Sequence, residues 1–398
     1  MFSALKIKNF RLYWLGMFIS LIGTWVQYVA QSWLVFQLTN SVFLLGLVGF
    51  LGSIPVFLFS LFGGVAADRM NKKNILLFTQ STFMLLAFLL ALLTQMKLIT
   101  PAQIMLLALL NGIVMAFDAP ARQAVIADLV GKQHLLNAVA LNSAAFNSAR
   151  VIGPALAGIL IAGIGMSGCF YINGISFLAV IIALLLININ NGAKRESGNF
   201  LLKDLSDGLK FIKDNPIILI LISMVGITSL FGISYLILMP VFANDVLGVG
   251  EKGLGLLMSS TGFGALIAAL ILARLGDFKY KGKLLISSSI IFSISLVLFS
   301  LSKTYFVSLI ALILIGGASV TATGLINTLL QILVPDEFRG RAMSVFMLTF
   351  AGFMPFGNLL AGICAHIWGV SLTVLIGGII CAAFFIIINI LYLQIRNI

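Results

Sequence analysis

LVGKQHLLNAVALNSAAFNSARVIGPALAGIL, residues 129 to 160, is answered 204 residues later by LVPDEFRGRAMSVFMLTFAGFMPFGNLLAGIC, residues 333 to 364. Val130 matches Val334, Ala138 matches Ala342, Gly153 matches Gly357, Leu156 matches Leu360 and Gly158 matches Gly362. A constant offset held over such a length marks an internal repeat. A weaker echo pairs Asp68 and Lys72 with Asp277 and Lys281. Two homologous halves follow, and the longest charged break in the chain, about Asn190 to Asn215, falls between them.

Around this repeat the sequence is almost wholly apolar. Of 398 residues, 61% are hydrophobic and only 9% are charged, against about a quarter charged in a soluble domain. A bilayer core takes about 20 apolar residues per helix. Runs of that order recur at 12–38, 42–67, 75–95, 102–118, 138–164, 168–189, 216–244, 252–273, 284–302, 305–331, 342–365 and 371–393. The predicted fold is therefore an all-α integral membrane protein of twelve transmembrane helices. Six spans per half is an even number, so the halves run parallel, related by an axis along the membrane normal. The expected division is an N-terminal six-helix bundle at 1–190, a cytoplasmic linker at 191–215 and a C-terminal six-helix bundle at 216–398. Within the linker Leu202, Leu205, Leu209 and Ile212 recur at helical spacing, which suits an amphipathic helix on the inner leaflet.

The formal charge of +12 is sorted by loop rather than pooled in one patch. One alternate set of breaks holds 20 of the 24 basic residues; the other holds only Lys97, Lys252 and Lys303, and Arg150 lies inside an apolar run. This is the positive-inside pattern, and it places both termini in the cytoplasm of a bacterial inner membrane. The basic charge thus reports topology, and no nucleic-acid partner is expected. Cys169, Cys364 and Cys381 are scattered through apolar runs, and His134 and His366 fall on opposite sides, so neither a disulfide nor a metal site is expected. A phosphate-cradling Gly-rich loop followed by Lys is missing, and no cofactor is implied. The first apolar run follows a basic start but is too long for a signal peptide, and reads as an uncleaved first helix.

Two loop and helix motifs carry more. GGVAADRMNKKN, residues 63 to 74, joins the second and third spans, and its Gly64, Asp68, Arg69, Lys72 and Lys73 fit the pattern G-x-x-x-D-R-x-G-R-K. ARVIGPALAGIL, residues 149 to 160, places Gly153, Pro154 and Gly158 on G-x-x-x-G-P-x-x-G-G, with Ala149 and Ala157 standing in for glycines. Both resemble signatures of the major facilitator superfamily, the second being the one associated with its exporters and antiporters. FDAPARQAVIADLV, residues 117 to 130, with FRLYWLG near the start and SWLVFQLTNS in the first span, resembles the branch that holds the enterobactin exporter and related effluxers. The likeness covers most of the chain and is strongest in the first half. It implies the major facilitator fold, proton-linked export of siderophores or other amphipathic molecules, and a gating role for Asp68, Arg69 and Lys72. Asn71 replaces the motif glycine and is expected to accept the left-handed turn that glycine would take.

Arg150 is expected near mid-bilayer, about 18 Å along the fifth span from Ala138 at 1.5 Å per residue. A central Arg costs at least about 2.5 kcal/mol, so it should face a cavity or a partner. Both a polar-substrate contact and a structural hub fit it. Asp118 and Arg122 are one turn apart at the inner end of the fourth span, which suits a local pair or an inner gate shared with Asp68. Gln27 and Gln31 are one turn apart in the first span, and Asn111, Asn147 and Asn327 interrupt later ones. Such amides either line the cavity or bond between helices. Gly153, Pro154 and Gly158 would let the fifth span slide and bend.

The predicted function is secondary active transport by alternating access: export of a small amphipathic solute by a monomer in the lipid bilayer, with protons as coupling ion. An importer of the same fold and a non-transporting receptor are the alternatives. A membrane-embedded enzyme would need clustered His, Cys or acidic residues at membrane depth, and no such cluster is legible, so the chain is not expected to be an enzyme.

Overall fold

The computed structural model describes residues 3–187, 201–276 and 278–397, and the side chains of all of these except 201–207 and 397. Leu202 and Leu205 of the expected amphipathic stripe, and Asp277 of the weaker repeat echo, fall outside the described side chains or residues.

The described chain is helical throughout, in the order α1 (Lys8–Thr39), α2 (Val42–Arg69), α3 (Lys72–Gln95), then a run from Pro101 to Leu186. That run is three helices, because Gly131 (φ 67°) and Gly165 (φ 74°) leave helical geometry for the positive-φ region that favours glycine. They divide it into α4 (101–130), α5 (132–164) and α6 (166–186). After the linker helix α7 (Leu201–Asp214) come α8 (Pro216–Val246), α9 (Gly250–Leu275), α10 (Lys281–Leu301), α11 (Tyr305–Leu333), α12 (Asp336–Trp368) and α13 (Val370–Leu391). Ten continuous stretches are long and apolar enough to cross a membrane. With one of them counted as three, the described spans number twelve.

Side-chain caps mark three of the described helix starts. Thr100 and Gln103 form a reciprocal capping box at α4, and the Ser41 side chain accepts from the Leu44 N–H at α2. At α3 the expectation for Asn71 is corrected: it is extended (φ −67°, ψ 110°) and caps the helix, its side chain accepting from the N–H groups of Lys73 and Asn74. An amide that satisfies two orphan helix donors needs no left-handed turn. α8 is irregular, with π turns at Thr228–Gly232 and Phe242–Val246 and a 3-10 segment at Ile233–Leu238 between them.

Large apolar side chains face outward along the spans: Phe78, Leu85, Ile159, Leu185, Phe306 and Ile390 are each more than 60% exposed. Water would penalise such a surface, whereas lipid is the solvent it fits. Contacts group the chain into two compact units. One comprises Met1–Leu44, Leu51–Ser197 and Gly250–Ser259; the other comprises Leu45–Phe50, Gly198–Val249 and Ser260–Ile398. In the first, Phe10, Tyr13, Met17, Leu76, Val125 and Leu184 belong to one buried cluster. In the second, Phe211 of α7 stacks on Phe338 at 4.4 Å, and the Arg341 guanidinium lies over the same Phe338 ring.

Close helix approaches repeat with the sequence. In the first unit a side chain at Gly112 would run into the Gly52 carbonyl; in the second one at Gly316 would meet the carbonyl of Thr261. A Cβ at Gly255 would stand 2.5 Å from the Pro154 carbonyl oxygen and 2.9 Å from the Gly158 nitrogen, within the first unit. A Cβ at Gly46 would stand 2.7 Å from the Asn358 carbonyl oxygen and 2.7 Å from the Gly362 Cα, within the second. Asn358 and Gly362 follow Pro154 and Gly158 at the same 204-residue offset that the sequence shows.

Candidate functional site

Asp118 of α4 is completely buried. One carboxylate oxygen accepts from the Thr79 hydroxyl at 2.7 Å and the Gln80 amide at 2.8 Å, both on α3. The other faces the Arg122 guanidinium one turn along α4, as an ion pair. An isolated carboxylate at this depth costs several kcal/mol, and an ion pair with two further donors offsets it. The Tyr13 hydroxyl of α1 is buried without a hydrogen-bond partner. The sequence reading ended the fourth span at Asp118; α4 instead continues to residue 130. Pro120 does not break it, and Ala121, Val125, Ile126 and Val130 go on burying one face. Asp118 is therefore an interior acid of a helix and not a residue at its end.

A second ion pair lies beyond it. Lys72 Nζ is 2.6 Å from Asp128 Oδ2, with the two side chains 21% and 17% exposed. Lys73 Nζ donates to the Ile187 carbonyl at 2.8 Å. Asp68 and Arg69 are exposed at the end of α2. Asp128 was not singled out from sequence, although the loop-charge pattern puts it on the side of Lys72 and Lys73 and so left a signal that could have found it. Both pairs lie in the first unit; Lys72–Asp128 ties α3 to α4 directly, and Asp118 does so through Thr79 and Gln80.

Other polar candidates are dispersed. Gln27 is buried and accepts from the Asn173 amide of α6 at 2.7 Å, while Ser176 Oγ donates to the Asn173 side-chain oxygen at 3.1 Å. Asn173 also escaped the sequence reading; it sits in an apolar run with no periodic partner to mark it. Gln31 and Asn111 are half-buried. Asn147 donates to the Ser143 carbonyl of its own helix, and Asn327 accepts from Gln331 at 2.5 Å. Arg150 sits mid-way along α5, half-buried, with its guanidinium carbon 6.0 Å from the Trp25 ring centroid. Trp25 packs edge-on against Tyr28 and Phe146. Gly153 makes room for this aromatic group, since a side chain there would collide with Trp25 Cβ.

Pro154 has no N–H to give to the Arg150 carbonyl, which loosens α5 where Arg150 projects. Just beyond, Gly158 accepts the close approach of Gly255, and the Ser259 hydroxyl donates to the Val151 carbonyl at 2.6 Å. Among the described residues, no three His, Cys, Asp or Glu side chains gather in a way that could hold a metal ion.

Residues 1–397 match the model of the family described as transmembrane secretion effector. The chain is 30% identical over 91% of both lengths to the staphyloferrin A transporter of Staphylococcus aureus. It is 28% identical to the enterobactin exporter EntS of Shigella flexneri over 83% of this chain and 79% of that one, and 22% identical to macrolide efflux protein A of Streptococcus pyogenes over 95% of both. Among solved structures it superposes on a bacterial homolog of the human lysosomal transporter Spinster, in an inward-facing unoccupied conformation, with TM-score 0.72, 15% identity and 98% of each chain covered. It superposes on a D-xylose-proton symporter with TM-score 0.73, 14% identity and 94% and 97% covered. At these identities the structures speak for fold alone. The chain is a multi-pass membrane protein that belongs to the transmembrane secretion effector family of the major facilitator superfamily, whose members are transporters and not enzymes.

Proposed function

We propose that this protein exports a small amphipathic solute, siderophore- or drug-like, across a bacterial cytoplasmic membrane by alternating access. The observation that carries the reading is the relationship, over 79% or more of each chain, to one siderophore transporter, one siderophore exporter and one macrolide efflux protein. In this account the halves at 1–190 and 216–398 are matched bundles joined by the linker at 191–215. Both termini are cytoplasmic, protons are the coupling ion, the working unit is a monomer, and nucleic acid plays no part.

The residues divide by role. Lys72 with Asp128 holds α3 to α4 at the inner gate, and Asp118, paired with Arg122, holds them together through Thr79 and Gln80, with Asp68 and Arg69 at the adjoining end of α2. Arg150, with Gln31, Asn111 and Asn147, supplies polar contacts for the solute, and Gln27 is held in place by Asn173. Asn327 does the same work from α11. Gly153, Pro154 and Gly158 allow α5 to move against its neighbours. Import by the same fold would use the same residues, and only the direction of flux separates the two.

Efflux and killing assays over a panel of siderophores, macrolides and lipophilic cations, with and without the gene and again with a protonophore, test the reading. Accumulation of at least one compound should rise when the gene is deleted, and the difference should vanish with protonophore. Arg150→Ala should raise KM for an exported anionic compound about tenfold, the scale of a lost contact to a charged group, with kcat and expression unchanged. Lys72→Ala should change folding stability by less than about 1 kcal/mol, since the pair is partly exposed, yet slow transport. The charge swap Lys72→Asp with Asp128→Lys should recover the rate, as uptake into inverted vesicles would show.

A further inference from the structure

The second unit contains a small recess, mostly apolar but carrying five hydroxyls, that the roles above leave unused. It is a cavity of ≈ 10 Å³ whose hydroxyls come from buried Ser229 and Ser289 and half-buried Thr228, Ser319 and Thr323, beside apolar Phe292 and Phe385. Space of that size admits about one water, or one heavy atom of a larger molecule.

Its hydroxyls are not equivalent. Thr228 donates to the Met224 carbonyl at 2.8 Å, Ser289 to that of Leu285 at 2.9 Å, and Thr323 to that of Ser319 at 2.8 Å. Each has committed its proton and keeps lone pairs, so the lining accepts more than it donates. Ser229 is the exception: it is 1% exposed and its Oγ has no hydrogen-bond partner. A buried hydroxyl left unmade is unfavourable, and a guest in the recess would satisfy it. Ser229 also lies in the π turn Thr228–Gly232, an irregularity frequent at functional sites.

The repeat register identifies what the recess replaces. α3 and α10 begin at Lys72 and Lys281, 209 residues apart, and α4 and α11 begin at Pro101 and Tyr305, 204 apart. On those offsets Gln80 and Phe83 fall on Ser289 and Phe292, and Asp118 and Arg122 fall on Ala322 and Ile326. All four second-half residues line the recess. Where the first half is filled by an amide, a carboxylate and a guanidinium, the second has small or apolar side chains and hydroxyl-lined space.

We infer that this recess is a subsite for a single O–H or N–H group of the transported solute, and that one water occupies it when the carrier is empty. The solute half of this inference rests on the export reading; the water half rests on the second unit alone. Hydroxyls that have committed their protons, beside a Ser229 hydroxyl that has not, select a neutral hydroxyl or amine, which can donate to the lining and accept from Ser229, over an ammonium or an anion, and the volume excludes a methylated donor.

Two measurements test it. In a solute-free structure of the full-length protein, at a resolution that shows ordered water, one peak should lie within hydrogen-bonding distance of Ser229 Oγ and be gone in Ser229→Ala. A recess closed by its own side chains would overturn the inference whatever the protein transports. In export assays with erythromycin and its singly O-methylated derivatives, Ser229→Ala should raise KM for erythromycin about two- to tenfold, the size of one neutral hydrogen bond. One methylated derivative, already deprived of the contact, should be unaffected by the substitution. Equal losses for every compound, or none, would make Ser229 structural and overturn the solute half. Water in place with no export of any macrolide or siderophore would overturn the export reading and the solute half together, leaving the hydration site standing.

Discussion

Asp118→Ala is expected to destabilise the protein by about 3–5 kcal/mol, the range for removing one partner of a buried ion pair. The loss has three parts that add in one direction. Arg122 is left without its counter-charge, and the Thr79 hydroxyl and the Gln80 amide lose the oxygen they share. The residue is completely buried, so water cannot substitute for it. Asp118→Asn keeps the shape and one acceptor but removes the charge, and should fall between wild type and Ala. Paired replacement, Asp118→Leu with Arg122→Met, removes both charges together and should recover most of the loss in stability while transport stays impaired. Thermal unfolding in detergent, followed by intrinsic fluorescence, reads the stability of all four proteins. If Asp118→Ala unfolds at the wild-type temperature, the buried network is not what holds α3 to α4.

Gly255→Leu and Gly46→Leu should each reduce transport at least tenfold. A Cβ at either position would enter the contact distance of a carbonyl oxygen or of facing backbone, at 2.5 Å and 2.7 Å respectively. Even a methyl group would force the backbones apart, at a cost of about 1–3 kcal/mol, and a leucine cannot be housed between two helices in such contact. Because the two crossings are repeat-related, Gly158→Leu and Gly362→Leu, on the facing helices, should reproduce the defects of their partners. Gly163→Ala on α5 is the control: nothing lies within 4 Å of its added Cβ, so transport should be unchanged and stability equal or slightly higher. Uptake rates in inverted vesicles, normalised to folded protein, would show the contrast. A Gly255→Leu protein transporting at the native rate would mean that this contact is incidental.

The fold was legible because its two determinants are local. Apolar length fixes a span, and turn residues end it: Asn40 adopts φ 47° at the end of α1, and Gly131 and Gly165 break a run that is otherwise helical. The failures share another cause. Ending the fourth span at Asp118 applied a sound rule, that charge does not sit in a membrane helix, to a charge neutralised where it stands. Of its three partners only Arg122 is near in sequence; Thr79 and Gln80 are 39 and 38 residues away on another helix. Asn173 and Asp128 escaped for the same reason, since their partners Gln27 and Lys72 are 146 and 56 residues distant. The irregular course of α8 left no periodic signature either, because its apolar residues fit a π turn or a 3-10 segment as readily as an α-helix.

The repeat is the feature that joins these levels. A 204-residue offset first seen as matched letters reappears as matched backbone contacts at Pro154 and Gly158 and at Asn358 and Gly362. It also locates the divergence between the halves, where Asp118 and Arg122 correspond in register to Ala322 and Ile326. Matched packing with unmatched polar interiors gives the two halves a common mechanical frame and different chemistry.

Counterflow in liposomes tests the central claim most directly. Purified protein is reconstituted into vesicles preloaded with an unlabelled compound that cells export, and the labelled compound is added outside at low concentration. A carrier that exposes one site to each side in turn should accumulate label transiently above its equilibrium level, and only in preloaded vesicles. Label that binds the protein yet never overshoots would contradict alternating access, and with it the reading of this protein as a transporter.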